Sequence, residues 1–527
     1  MAVVALPLAL GFGVASGLGA KAGLVTAIVA GVVAGVFGGS NVQVSGPTGA
    51  MTVVLVPVVA SAGPSGVVIV ALLSGALLML AGAARLGRYA GLLPWPVIEG
   101  FTLGIAMLIF LQEVPAAVGV FKPHGVNTAA VAFRALGRWD GRDWNALAIT
   151  VLVAALMSGL PRLHRALPAS LLAVAAATAV TEFSGLSVAR IGRIPGGLPT
   201  PSLPGMSAAH VGSVLGAVLA VAALAAVESL LSAKVADGMA DTEAHDPNRE
   251  LFGQGLANVA VSFFGGMPAT GAIARTAVNV KAGARTRAST ILHGLVLAVV
   301  VIALAPVLSR IPLAALAGVL IVTAVRMVEF GTVSRILRST RSDALLLAST
   351  AAATVTFNLV IAVGVGVALA SLLALRAVAE STTFEQETID RIDVDNELEH
   401  ALLQEHIVAY ALDGALFFGA AQRFLLELAD ASDVQVLILR LGRLRVLDST
   451  GAQALGDLIA HLQHHRVTVL LTSVKEPHRQ LLADLGVLEK LTDPSHLMPT
   501  FAKALEHART HIIIGTRLSG QQALEHG

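Results

Sequence analysis

The chain has 527 residues, 55% of them apolar and only 13% charged, with a mean hydropathy of +0.79. That composition excludes a soluble globular protein, and a net charge of +1 gives no ground for a nucleic-acid partner. With no cysteine, disulfides, thiolate metal sites and a cysteine nucleophile are excluded as well.

In chain order, the opening "AVVALPLALGFGVASG" lacks the basic start of a secretory leader and reads as a spanning helix over 1–17. Further spans follow at 22–38, 47–62 (short), 66–83, 94–119, 143–160 and 167–183. After the Gly/Pro-rich connection "RIGRIPGGLPTPSLPG" (190–205) come 211–236, 250–265, 272–283 (short), 288–307, 312–328, 343–358 and 360–377. The expectation is a polytopic, all-α membrane domain over 1–378, of fourteen segments in two halves of seven (1–185 and 208–378). The chain's 52 glycines, most of them in this domain and mixed with Ala, Ser and Thr, suit closely packed membrane helices. Connections on one side hold fourteen Lys and Arg against eight on the other, which predicts both termini in the cytoplasm. From Glu380 the chain turns polar and acidic. A linker over 379–395 and a small cytoplasmic α/β domain over 396–527 are expected, with strands at 406–412, 434–441 and 467–473 and helices near 418–431, 449–463 and 476–486.

The third segment of each half is short and follows Gly and Pro: "VSGPTGAM" (44–51) and "GGMPATGAIART" (265–276). Interrupted segments at matching places in two halves point to a transporter's binding site. A helix that starts inside the bundle offers free N–H groups and a positive dipole end, an anion site that needs no charged side chain. Ser45, Gly46 and Thr48 stand at the first start, where the two hydroxyls can bond an anion. Gly271, Ala272, Ala274 and Arg275 form the second, and Arg275 adds a full positive charge. The competing reading is an arginine that snorkels to the surface.

Glu228 is the second charge at membrane depth, inside "AVLAVAALAAVESLLSAKVADG" (217–238). Ser232 lies one turn on, on the same face. A carboxylate buried there resists ionisation unless a proton or cation joins it, which is the chemistry of a coupling site. A structural hydrogen bond or a Glu228–Arg275 ion pair is the alternative. Lys234 to Asp246 read as a solvated loop, and His461, His464 and His465 as a solvated helix end; no metal site and no cofactor are expected. No GxxxxGK[ST] occurs, which argues against an ATP-driven pump.

Taken together, "LPLALGFGVASG" (6–17), "FGGSNVQVSGPTGAMTVV" (37–54), "PVIEGFTLGIAMLIFLQEVPAAVG" (96–119), "ANVAVSFFGGMPATGAIARTAVNVKAGARTRAS" (257–289) and "IPLAALAGVLI" (311–321) resemble the SulP (sulfate permease) anion-transporter family. The resemblance implies two inverted seven-segment repeats, a core domain moving against a gate domain, short strands before helices three and ten, and an anion between those helix starts. It also implies that Phe12 lines the pocket and that the protein is a homodimer. Relatives commonly read G-S-F-S-R where this chain has Gly271-Ala272-Ile273-Ala274-Arg275, so the arginine is kept and two hydroxyls are lost. Sodium-coupled bicarbonate members have Asp and Thr where this chain has Glu228 and Ser232, which favours a proton over sodium here. The family's cytoplasmic segment before the first span is expected to be largely missing. "VLDSTGAQALGDL" (446–458) resembles STAS domains, whose soluble relatives are phosphorylated at the position of Thr450. Here Asp448 and Ser449 read rather as plain helix caps, and the domain as a seat for a cytoplasmic protein partner.

The function expected is secondary active transport of a small anion (a dicarboxylate such as fumarate, sulfate or bicarbonate) with a proton, by alternating access, in a bacterial inner membrane. The alternative is an uncoupled anion channel or an anion exchanger with a STAS regulatory module. An enzyme is disfavoured because no nucleophile–base set appears.

Overall fold

The structure is a computed structural model of the whole chain. It describes all residues except 93, 122–126, 140–143, 165–166, 195, 203–207, 241, 358, 381–382, 388–405, 417–433 and 513–527. Contacts divide the chain into two compact units, Met1–Ala370 and Ser371–Gly527.

The first unit is helical. Its first half holds α1 (Ala2–Ala15), α2 (Ala20–Phe37), α3 (Gly49–Ala83), α4 (Trp95–Ala117), α5 (Thr128–Arg138), α6 (Trp144–Leu163) and α7 (Ala169–Phe183), with strand β1 (Ser45–Gly46) just before α3. Its second half holds α8 (Ala208–Met239), α9 (Pro247–Phe263), α10 (Ile273–Lys281), α11 (Ala288–Leu308), α12 (Leu313–Met327), α13 (Phe330–Arg338), α14 (Arg341–Thr356) and α15 (Leu359–Glu380), with β2 (Thr270–Gly271) just before α10. Among the described residues, seven stretches are long and apolar enough to cross a membrane. On α11, Leu292, Leu295, Val299 and Ile302 are exposed while His293, Gly294, Leu297 and Val301 are buried. One face is thus packed and the other apolar face is left for lipid.

The expected pair 47–62 and 66–83 forms one long element, α3, broken inside at Gly63, where φ is 64°. Only glycine adopts that conformation cheaply, and Pro64 next to it starts the following helix with its preset φ. The amphipathic helices α5 and α13 were not expected. They have 11 and 9 residues, too short and too polar to register as spans. Each falls between the fifth and sixth span of its half, so even these additions recur at matching places.

Two apolar clusters fill the unit. One joins Leu6 and Leu10 of α1 to Ile28, Ile149, Val174, Leu297 and Leu316. The other joins Phe12 to Met51 and Leu55 of α3, Ile105 and Ile109 of α4, Val218 of α8 and Leu320 of α12. Helices α3 and α9 pack along each other at a reciprocal glycine contact. A Cβ on Gly75 would lie 2.7 Å from the Gly255 carbonyl oxygen, and one on Gly255 would lie 2.6 Å from that of Gly75.

In the second unit, β4 (Ile407–Leu416), β5 (Val436–Arg440), β7 (Thr468–Thr472) and β8 (Leu497–Met498) form a parallel sheet. β3 (Thr383–Glu387) is antiparallel to β4 at one edge, and β6 (Leu444–Leu447) also pairs with β4. β3 lies inside the stretch expected to be a linker, and it occupies the edge of the sheet. The central strands are buried on both faces. Leu437 and Leu439 meet α16 (Ser449–His464) and α17 (Glu476–Asp484) through Leu455, Leu458 and Leu482, while Val436 and Ile438 meet Ala504, Ala508 and Ile512 of the helical stretch 501–512. The helix expected near 418–431 lies outside the described residues.

Gly255→Val forces a branched side chain into the α3–α9 contact and is expected to destabilise the bundle by about 1–3 kcal/mol or more. The check is the thermal melting of detergent-purified protein. Gly159→Ala, where an added Cβ meets nothing within 4 Å, serves as the unaffected control.

Candidate functional site

β1 and β2 pair antiparallel, Ser45 opposite Gly271 and Gly46 opposite Thr270. This crossing fixes where α3 and α10 begin, because each helix starts within three residues of its strand. Non-helical backbone of this kind is tolerated in a membrane bundle only when other protein groups satisfy it. Here they do. Ala272 N–H donates to the Val44 carbonyl (3.0 Å), Val44 N–H to Thr276 Oγ1 (3.1 Å) and Gly271 N–H to Ser229 Oγ (3.0 Å). The approach to β2 is clamped by α9: Asn258 Oδ1 accepts from Ala269 N–H (2.6 Å), and Gln254 Nε2 donates to the Ala269 carbonyl (2.9 Å).

Arg275, in the first turn of α10, is 2% exposed. It does not reach the surface. Its Nη2 donates to the Pro47 carbonyl (2.8 Å), on the approach to α3, and its Nη1 is buried with no hydrogen-bond acceptor. Gly46 lies against that nitrogen, since a Cβ there would come within 2.6 Å of Nη1. The guanidinium therefore spans from the second helix start to the first.

Glu228, on α8, is half-buried. Thr48 Oγ1 donates to its Oε2 (3.1 Å) and also accepts from Met51 N–H as the cap of α3, at 3.5 Å. No ion pair joins Glu228 to Arg275, although their charges are close enough to act on each other. Ser232 turns away from Glu228 and shares a hydrogen bond with Thr276 of α10 (3.2 Å). Ser229 bonds Thr270 (3.0 Å) as well as Gly271. One face of α8 thus holds both helix starts, the first through Glu228 and the second through Ser229 and Ser232.

The remaining candidates divide. Ser45 is buried with its hydroxyl donating to Gln254 Oε1 (2.8 Å), so it fastens β1 to α9. Phe12 is buried beside the start of α3; a Cβ on Gly49 would lie 3.2 Å from its ring. Ala272 is half-buried and Ala274 exposed. In the second unit Asp448 caps α16, accepting from Gly451 N–H at 2.7 Å, while Ser449 and Thr450 are exposed beside it.

Several residues escaped the sequence reading. Gln43 is buried with both amide atoms unpartnered, its Nε2 1.7 Å from where a Cβ on Gly271 would stand. Glu250, 2% exposed, accepts from Gly39 and Ser40 N–H (2.8 and 3.2 Å) and ties α9 to the end of α2. Gln254 and Asn258, one turn apart on an apolar helix, were the legible signal for the clamp.

Two helices that start beside a strand crossing, with a buried guanidinium between the starts, are what a membrane transporter of small anions would need. The comparisons agree. Residues 1–350 match the sulfate permease family, and residues 401–504 the STAS domain. A Bacillus subtilis protein named provisionally as a sulfate transporter, YvdB, is 33% identical over 93% of this chain and 92% of its own length. The bicarbonate transporter BicA of Picosynechococcus is 30% identical over 96% of this chain and 93% of its own. The murine solute carrier 26 member A9 anion transporter, in its inward-facing state, shares the fold with a TM-score of 0.82 at 18% identity, over 97% of this chain and 90% of that one. The chain belongs to the sulfate permease family. It is a multi-pass integral membrane anion transporter with a C-terminal STAS domain, and it is not an enzyme.

Gly46→Ala pushes a methyl group into Arg275 Nη1. The expected result is anion affinity lowered about tenfold or more, equivalent to about 1.4 kcal/mol, with unchanged thermal stability. Binding to purified protein at several anion concentrations measures it.

Proposed function

We propose that the protein is a proton-coupled symporter of a small anion, working by alternating access around the crossed helix starts. The observation that carries this reading is Arg275 Nη1, a buried cationic donor without an acceptor, lying between the two helix starts. Leaving such a group unpaired costs about 1–3 kcal/mol or more, and a bound anion relieves it. The free N–H groups of α3 and α10 add their dipoles to the same spot. With two serines of the family pattern replaced by Ala272 and Ala274, backbone and guanidinium carry the recognition. That favours a compact, charge-dense anion over one read by many hydroxyls; bicarbonate, sulfate and small dicarboxylates all qualify, and two relatives bear the names of sulfate and bicarbonate transporters.

Glu228 carries the coupling charge. Its described hydrogen-bond partner is the hydroxyl of Thr48, which also caps α3, so loading the carboxylate alters a bond at the anion's own helix start. Ser232, which could have helped to ligate a metal cation, is committed to Thr276. A carboxylate with a single hydroxyl neighbour suits a proton better than sodium. The protein works in a bacterial cell membrane with both termini cytoplasmic, as a homodimer whose STAS domain engages a cytoplasmic partner.

Proteoliposome flux tests the reading, with sulfate, bicarbonate, chloride, succinate and fumarate each offered with and without a pH gradient. An imposed inward proton gradient is expected to drive one of these anions uphill. Glu228→Gln is expected to abolish that accumulation while leaving anion binding within a few-fold, and Arg275→Ala to lose binding. Passive flux that ignores the proton gradient means a channel, accumulation driven only by a counter-anion means an exchanger, and either overturns symport.

A further inference from the structure

The STAS domain brings together three histidines far from the transport site. His496 sits in a single turn of 3-10 helix, 494–496, that leads into β8. His507 and His511 are one turn apart on the helical stretch 501–512, whose Ala504, Ala508 and Ile512 pack on the sheet. The spacing puts both imidazoles on one side of that helix, next to its buried face. One ring nitrogen from each of the three lies within 4.8 Å of the others, and His507 Nε2 and His511 Nε2 are 3.1 Å apart. His496 is 3% exposed, and its Nδ1 is buried with no hydrogen-bond partner.

His496 is the buried member of the three, with His507 half-buried and His511 exposed. Without a guest, His507 Nε2 and His511 Nε2 share one N–H···N hydrogen bond, while the buried His496 Nδ1 is left without a partner, which costs free energy. The spacing also suits a divalent transition metal, because nitrogens held at about 2.0–2.1 Å from a common tetrahedral centre stand slightly more than 3 Å apart. Burial favours the neutral, ligating form of His496 and His511. Burial, and then the neighbouring imidazoles, hold the His496 ring below the ordinary histidine range, and the same causes act on His511. The carboxylate of Asp493, which caps the 494–496 turn through Ser495 N–H (2.7 Å), acts the other way on His496 and His511, and its negative charge would favour a cation bound there.

We propose that His496, His507 and His511 form a zinc site that joins the turn before β8 to the C-terminal helix of the STAS domain. Three neutral imidazoles suit zinc, and they leave one coordination position open to water or to an anionic group. Among the described residues this is the one group of three potential ligands that meets such geometry. His461 and His464 of α16 and His465 just after it touch one another only as exposed ring contacts.

The test is zinc titration of the full-length protein, purified without a polyhistidine tag, stripped with chelator and followed by calorimetry. One zinc per chain is expected. The double variant His507→Gln/His511→Gln is expected to lower affinity at least about 100-fold, and the single variant His511→Gln, at an exposed position, about tenfold. The single variant keeps the proposal testable should the double variant fold poorly. His464→Gln/His465→Gln is expected to bind as wild type. Absence of zinc uptake by the folded wild-type protein, uptake unchanged in His511→Gln, or loss that follows His464 and His465 instead would each overturn the assignment.

Discussion

The antiparallel pairing of two dipeptides, Ser45–Gly46 and Thr270–Gly271, is the constraint on which the transport unit depends. It comprises four residues, yet it brings the two halves of the chain together and fixes where α3 and α10 begin. Peptide dipoles that would be harmless at the ends of ordinary spanning helices are thereby directed into the interior of the bundle. A cation is energetically awkward there, and an anion is welcome. Gly46 and Gly271 keep this crossing narrow, the first against Arg275 and the second against Gln43 and α8.

Helix α8 makes the crossing responsive. Glu228, Ser229 and Ser232 occupy neighbouring positions on one helix and divide their hydrogen bonds between the two helix starts. A change of charge at Glu228 is felt first at Thr48, which caps α3, and through the field at Arg275, which bonds the Pro47 carbonyl. In the proposed mechanism, anion and coupling charge therefore act on the same short segment of backbone. This is a compact way to make the two bindings interdependent, since coupling is a free-energy difference carried by shared contacts.

Much of this was legible in the sequence. The many apolar helices of the transport unit follow from hydropathy, because a helix in lipid must be continuously apolar over a fixed length. The break at Gly63–Pro64 and the two short segments follow from Gly and Pro punctuation, and Arg275 and Glu228 stand out as charges in apolar runs. The partners of the site residues were less legible. Ser45 reads as an anion ligand from its position, but its hydroxyl bonds Gln254, 209 positions away. Ser232 reads as Glu228's neighbour at helical spacing, but the bundle offers Thr276 instead. Helical periodicity says which residues share a face, and it is silent about what another helix presents to that face. The histidine triad failed differently. His507 and His511 carry a visible i, i+4 signal, but the third ligand comes from a turn before β8, which only the fold brings to the helix.

The central claim concerns position: an anion sits between the two helix starts, in contact with Arg275. Anomalous scattering from crystals of the protein soaked with selenate or bromide measures this most directly. The account predicts a peak within hydrogen-bonding distance of Arg275 Nη1, between Gly46–Thr48 and Gly271–Arg275, that disappears in Arg275→Ala. Peaks confined to other parts of the bundle, or a central peak that survives loss of the guanidinium at full occupancy, would contradict it.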